Sequence, residues 1–157
     1  MRPRNRQSIA AAVAAMDADT KSRLVDAHRA KVATVPLEDE EQRLFFRLVK
    51  EHEPEYPAFR FVYACPNGGT RNPKEARLLV AGGVKRGVPD TAFPLPVGRF
   101  MGWFGELKRI NGVPSDLSDD QRDYLAFLSR SGYRAEWHKG GRAMFADLLA
   151  YVRGEIE

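Results

Sequence analysis

The sequence predicts an α/β fold whose elements follow the order α-β-α-β-β-α-β-α, with an extra helical segment at the N-terminus. Three observations support this prediction. The chain has 157 residues, of which 43% are hydrophobic, enough for one domain with its own core. Segments with the helical spacing of apolar residues alternate with short strand-like runs, and prolines and glycines separate them. Two of the strand-like runs also have the symmetry of an antiparallel hairpin.

The N-terminal part, residues 1–35, is predicted to be a basic, helical arm. Three arginines stand within its first six residues, and residues 8–33 have helical character. The main domain, residues 36–157, begins at Pro36, and proline is favoured in the first turn of a helix.

The first helix of the main domain has four acids, residues 38–41, in its first turn, where the helix dipole favours negative charge. Its apolar stripe consists of Leu44, Phe45, Leu48 and Val49. Two prolines end this helix, and the apolar run 59–65 is predicted to be a largely buried strand. Residues 66–69 have turn chemistry, and residues 73–80 form a short helix that ends at a pair of glycines.

A hairpin centred on Gly98 follows, and its second strand covers residues 100–108. Asp90 and Glu106 are equally distant from Gly98, so antiparallel pairing puts them opposite each other. Because side chains alternate along a strand, Lys108 shares a face with Glu106. Two carboxylates and an ammonium on one patch of sheet suit a metal site, although Glu106 and Lys108 also fit an ordinary solvent-facing pair.

The remaining elements complete the sheet and its helical cover. Ser118 and Gln121 form a capping box that starts a helix. The apolar residues of this helix are Tyr124, Leu125, Phe127 and Leu128. Residues 133–138 form the last strand and residues 142–153 the last helix. The inward-facing residues of the last helix are Met144, Phe145, Leu148, Leu149 and Val152.

Composition excludes several classes of protein. A single cysteine, Cys65, excludes a disulfide framework and a thiolate zinc cluster, and it is interpreted as a small core residue. No apolar run approaches the ~20 residues of a membrane span, so we expect no membrane partner and a cytoplasmic protein. The net charge is +4, and residues 65–113 contain eight Lys/Arg and only three acids. Basic charge around a small acidic spot suits a bound polyanion, or else a solvated basic face.

Five segments, in this order and spacing, resemble the VRR-NUC branch of the PD-(D/E)XK nucleases. They are Pro66 to Arg71, Gly83 to Asp90, Gly105 to Lys108, Leu117 to Gln121 and Ser131 to Ala135. The likeness covers roughly residues 36–153. It implies a restriction-endonuclease-like core, a mixed sheet of about four strands flanked by helices, that hydrolyses DNA with Mg²⁺ or Mn²⁺. The chain resembles the stand-alone members of this branch. The resemblance therefore implies a phage or bacterial homodimer that acts on branched DNA, such as Holliday junctions, in a bacterial or phage-infected cell.

The resemblance implies roles for individual residues. Asp90 and Glu106 would bind the metal, and the Leu107 carbonyl could complete the site. Lys108 would orient or deprotonate the attacking water, or offset charge on the phosphate. An acid on the first helix would also face the metal, and both candidates, Glu38 and Glu41, remain open with a slight preference for Glu38.

Other residues have both a functional and a structural interpretation. Gln121 matches a glutamine that the family places near the site or the DNA, but the capping box also explains it. Backbone amides at Asn67 and Gly68 can cradle a phosphate or can simply form a turn. The candidate phosphate-binding cations, which also fit ordinary surface charge, are Arg71, Lys85 and Arg86.

We therefore expect a metal-dependent DNA endonuclease with selectivity for branched DNA. Two alternatives stay open: a non-catalytic DNA-binding module, and a flap or linear-DNA nuclease of the same fold. A nucleotide-binding loop is disfavoured because the glycines before Lys85 follow a helix and lack P-loop spacing.

Overall fold

The computed structural model describes residues 16–23, 35–65 and 73–156, with the side chains of the first turn of the helix at 73 excepted. The chain separates after Val35 into two units, which are treated individually. In the first unit, residues 18–23 are helical, and the Asp17 carboxylate accepts the Thr20 N–H at 2.8 Å. The rest of the predicted helical segment lies outside the described residues, and the role of this part as an arm stays a prediction.

The described elements of the second unit follow the predicted order. The helices are α1 (Glu38–His52), α2 (Pro73–Ala81), α3 (Asp119–Arg130) and α4 (Gly140–Val152). The strands are β1 (Tyr63–Ala64), β2 (Thr91–Phe93), β3 (Trp103–Lys108) and β4 (Arg134–Lys139), and short 3₁₀ helices cover Pro57–Phe61 and Pro114–Asp116. The sheet order is β1-β2-β3-β4, with antiparallel pairing except between β3 and β4, which are parallel. The predicted mixed four-stranded sheet flanked by helices is confirmed.

The hairpin has the predicted register. Thr91 pairs with Gly105, and Phe93 pairs with Trp103, so the two strands are symmetric about Gly98. Extending this register by one residue puts Asp90, which directly precedes β2, opposite Glu106.

The two faces of the sheet are covered by different helices. The larger core contains Trp103 and Leu107 from β3, and the helices that cover it are α1 and α4. On the opposite face, Phe104 and Ala135 pack with Leu125 and other residues of α3. Because side chains alternate along β3, Glu106 and Lys108 lie on the α3 face with Phe104.

Three details of the sequence prediction were wrong. The run 59–65 is not a long buried strand, because Pro57 starts a 3₁₀ helix and only Tyr63 and Ala64 pair with β2. Since β1 is at the edge of the sheet, Tyr63 is 50% exposed.

Cys65 is partly buried next to Asp90, whose carbonyl accepts its N–H at 2.7 Å, so it is not a core residue. In α3, the predicted apolar residue Phe127 is 61% exposed.

Among the described residues, no helix is both long enough and apolar enough to cross a lipid bilayer.

Candidate active site

A cleft of about 170 Å³ opens where the segment before β2 meets the N-terminal ends of α1 and α3. Its lining residues are Glu38, Arg86, Gly87, Val88, Asp90, Ser118, Asp120 and Gln121. Two residues that the sequence singles out, Glu106 and Lys108, interact directly with side chains of this lining.

Asp90 is tied to the second strand of the hairpin. Its Oδ2 accepts the Leu107 N–H at 2.9 Å. In the hairpin register, the residue opposite Leu107 is Pro89, which has no N–H to donate. Because the N–H and C=O of a strand residue face the same neighbouring strand, the Leu107 carbonyl lies on the Asp90 side and receives no donor from Pro89. This pair therefore presents two oxygen ligands, one from a carboxylate and one from a carbonyl.

Glu106 is buried, with 1% of its surface exposed. Its Oε1 accepts hydrogen bonds from Lys108 Nζ at 2.7 Å and from Gln121 Nε2. Its Oε2 is also buried and has no hydrogen-bond partner among the described residues. Burial, with a further contribution from the Asp90 charge, raises the pKa of Glu106 to about 7, and the Lys108 ammonium partly offsets this rise. A buried carboxyl with one oxygen unsatisfied is a chemically suitable place for a cation.

Lys108 is a poor base in this environment. Burial by itself lowers its pKa, but the hydrogen bond to Glu106 and the charges of Glu106, Glu38 and Asp90 outweigh burial and raise it. The ammonium therefore keeps its proton near neutral pH, which favours an electrostatic role over proton abstraction.

The two candidate acids of α1 lie in different places. Glu38 lines the cleft, and burial raises its pKa, while the nearby Lys108 lowers it and Asp90 raises it further. Glu41 is 4% exposed, and its Oε2 accepts the Gly141 N–H at 2.8 Å at the start of α4. The structure brings Glu38, and not Glu41, together with the other predicted site residues.

Gln121 serves the helix cap and the cleft at the same time. Its side-chain oxygen accepts the Ser118 N–H at 2.9 Å, and its own N–H donates to Ser118 Oγ at 3.2 Å. The side-chain amide nitrogen is then left to donate to Glu106 Oε1. Both interpretations of this residue are therefore compatible with the geometry, and the cap orients the amide toward Glu106.

Comparison with solved structures gives a match to a protein described as a "VRR_NUC domain protein". The two chains superpose with a TM-score of 0.59 at 22% sequence identity, over 74% of this chain and 88% of the other. The chain has the VRR_NUC fold. No protein-family model matches the sequence, and no curated protein matches it. The match supports the predicted VRR-NUC fold, whereas the phage or bacterial type remains a prediction.

Only some of the residues that are predicted to contact DNA are among the described residues. Asn67, Gly68 and Arg71 lie outside the described residues. Lys85 and Arg86 are exposed, and Arg86 is at the cleft.

Asp120 is a cleft residue that the sequence motifs do not mark. It lines the cleft, and its Oδ2 lies 3.5 Å from the Arg86 guanidinium in an exposed pair. The only signal for it in the sequence is its position next to Gln121, since acids in the first turn of a helix are common for other reasons.

The donor set of the cleft fits a hard divalent cation. Glu38 and Asp90 line the cleft, and Glu106 and Leu107 interact with Asp90 behind it. Mg²⁺ commonly uses one or two carboxylates and several waters. In the described parts of the chain, no group of three or more Asp, Glu, His or Cys side chains is arranged to hold a metal alone. A cation here would therefore depend on the backbone carbonyl and on water or phosphate oxygens as well.

Proposed function

We propose that this protein is a Mg²⁺- or Mn²⁺-dependent endonuclease that hydrolyses DNA phosphodiester bonds. One observation carries the proposal: on a VRR_NUC fold, the buried Glu106 carboxyl keeps an unpartnered oxygen beside Asp90 and the Lys108 ammonium. Leaving a buried carboxylate oxygen unsatisfied costs stability, so a bound cation gives this arrangement a physical purpose.

Asp90, Glu106 and the Leu107 carbonyl would hold the cation, and Glu38 would contact it directly or through water. A divalent cation bound there would acidify a water molecule and neutralise negative charge on the attacked phosphate.

The side chains around this position have separate tasks. Gln121 and Lys108 both donate to Glu106 Oε1, which leaves Oε2 as the oxygen that would bind the cation. The Lys108 ammonium retains its proton and offsets charge that develops on the phosphate oxygens. Glu38, whose pKa is raised by burial, would accept a hydrogen bond from the attacking water.

The exposed cations near the cleft would hold the DNA backbone. Arg86 lines the cleft and Lys85 precedes it, and both would contact phosphates. Asn67, Gly68 and Arg71 are proposed as further contacts from the sequence alone. We also propose that the protein is selective for branched DNA and acts in a bacterial or phage-infected cytoplasm. Because two symmetric nicks in a junction require two active sites, we propose that it acts as a homodimer.

Cleavage of labelled four-way junction, flap and linear duplex, each with Mg²⁺, Mn²⁺ or EDTA, tests the proposal. The variants are Asp90→Asn and Glu106→Gln, and Asp39→Asn is the matched control because its carboxylate is 65% exposed and lies in the same first turn as Glu38. Wild type and the control are expected to cut with either metal, and both site variants are expected to lose cutting while they remain folded.

Each other outcome has a definite meaning. Binding without cutting by the wild type on all three substrates would overturn the nuclease proposal in favour of a non-catalytic DNA-binding module. Equal cutting by wild type and both site variants would show that the chemistry is located elsewhere. Preferred cutting of flap or linear DNA would replace the junction selectivity but keep the hydrolytic function.

A further inference from the structure

The start of α1 is held at two points that flank Glu38. Two residues before Glu38, the Pro36 carbonyl accepts a hydrogen bond from Arg109 Nε at 3.0 Å. Three residues after it, Glu41 Oε2 accepts the Gly141 N–H at 2.8 Å. The anchored segment is therefore only six residues long, and Glu38 lies in its middle.

The Glu41 contact is close-packed as well as hydrogen-bonded. A Cβ added to Gly141 would meet the Glu41 backbone carbonyl, and it would lie 2.9 Å from the Phe45 nitrogen. Only a glycine therefore lets the α4 N-terminus approach α1 so closely. Since residues three apart are separated by about 60° around a helix, fixing Glu41 against α4 also fixes the direction in which Glu38 points.

The second anchor is next to the active-site strand. Arg109 directly follows Lys108 at the end of β3, and its charge also acts on the Glu38 carboxyl. The same stretch of chain thus carries Glu106 and Lys108 and holds Pro36, two residues before α1. A change in the position of α1 would therefore change the distance from Glu38 to Glu106 and Lys108.

We propose that Glu41 and Arg109 are positioning residues that fix the start of α1, so that the Glu38 carboxylate contributes to cation binding in the cleft. This inference rests on the proposed metal-dependent function. It also gives Glu41 a role other than that of a direct ligand.

For Arg109, the effect of its charge and the effect of its anchoring hydrogen bond on cation binding have opposite signs. Arg109 lies close enough to lower the pKa of Glu38, so removing this cation would by electrostatics alone strengthen the binding of a divalent cation. Loss of the anchor predicts the opposite sign. Arg109→Met is therefore expected to weaken Mn²⁺ binding about fivefold, the effect of losing roughly one hydrogen bond.

Equilibrium Mn²⁺ binding, followed by the paramagnetic resonance signal of free Mn²⁺, measures this without any turnover. The full-length variants are Arg109→Met, Glu41→Ala, Glu41→Gln and Glu38→Gln, together with the double variant Glu38→Gln/Arg109→Met. Arg43→Met is the control, because it removes an exposed cation from α1, the helix that carries Glu38 and Glu41. Circular dichroism at the binding temperature establishes that each variant is folded.

The proposal predicts weaker binding in Arg109→Met and Glu41→Ala, and near-normal binding in Glu41→Gln, whose amide oxygen can still accept the Gly141 N–H. It also predicts that Arg109→Met no longer weakens binding once Glu38 is glutamine. Unchanged or tighter binding in Arg109→Met, or equal weakening in both Glu38 backgrounds, would overturn it and leave the proposed function intact. If wild type does not bind Mn²⁺, the proposed function fails, and this inference fails with it.

Discussion

Replacing Glu106 by glutamine is expected to change how the free energy of unfolding depends on pH. Burial raises the pKa of Glu106 from 4.5 to about 7, with Asp90 adding to the rise. Burial lowers the pKa of His138 from 6.5 to about 4, although Asp147 partly opposes this. The two buried groups therefore titrate over nearly the same range with opposite consequences.

The sign follows from which state holds the proton. Between pH 4.5 and 7, folded Glu106 keeps a proton that the unfolded chain has lost, so the free energy of unfolding falls as pH rises. Between pH 4 and 6.5, folded His138 lacks a proton that the unfolded chain holds, so the free energy of unfolding rises with pH. Each shift corresponds to about 3 kcal/mol, and the two contributions nearly cancel between pH 4.5 and 6.5.

Glu106→Gln removes one of these contributions and leaves the other. Relative to wild type, the free energy of unfolding of the variant is expected to rise by about 3 kcal/mol from pH 4.5 to 6.5. His138→Gln is the mirror-image variant, and its free energy of unfolding is expected to fall over the same range. Urea unfolding followed by tryptophan fluorescence, at several pH values in EDTA, measures all three proteins.

The comparison is between slopes, so a constant destabilisation from the substitution itself does not affect it. Parallel curves for wild type and Glu106→Gln would show that Glu106 ionises alike in the folded and unfolded states. That result would refute the buried, protonated carboxyl and remove the physical argument for the cation site.

Three further predictions concern stability. Asp147→Ala is expected to lower the free energy of unfolding by about 3 kcal/mol, because Asp147 accepts hydrogen bonds from Arg134 at 2.6 Å and from Trp103 Nε1 at 2.7 Å. Urea unfolding measures this, and a loss below about 0.5 kcal/mol would contradict it. Gly105→Ala is expected to cost about 1 to 3 kcal/mol, since its Cβ would overlap the Trp103 ring, and an unchanged thermal midpoint would show that the ring moves freely. Ser118→Ala is expected to lower the free energy of unfolding by about 1 kcal/mol through loss of the α3 cap. An unchanged free energy in urea unfolding would count against the capping box.

The hairpin shows how much of the site can be predicted from sequence. The position of Gly98 between two short apolar runs is enough to predict that Asp90 faces Glu106, and the observed pairing of Thr91 with Gly105 has this register. Register is well specified here because β3 is buried on both faces, so a slip of one residue would move every side chain to the wrong layer.

The choice between Glu38 and Glu41 could not be made from sequence. Both acids lie in the first turn of α1, where the dipole favours either, and they are three residues apart on adjoining parts of the helix surface. The decision depends on Gly141, which is 100 positions away from Glu41 in the chain. Local patterns contain no information about such a contact.

The first strand was mispredicted for a related reason. An apolar run indicates burial but not the number of neighbouring strands, and β1 pairs only with β2. Pro57 favours a turn just before this run, and the 3₁₀ helix that it begins takes up the first three of the seven residues of the predicted strand. An edge position leaves Tyr63 exposed even though its sequence suits a buried strand.

Among the described residues, three buried side-chain atoms have no hydrogen-bond partner: Thr91 Oγ1, His138 Nε2 and Glu106 Oε2. The His138 ring is neutral near pH 7, because burial lowers its pKa to about 4, and it stacks against Trp103, so its unpaired nitrogen carries no charge. Glu106 differs because its other oxygen already has two donors, and its own ionisation is balanced near pH 7. A leucine of similar size would fill the same space without this cost, as replacements of buried ionic groups by apolar ones in other proteins show. Glu106 thus lowers local stability in a way that the fold does not require, and such a conflict is expected at a functional site.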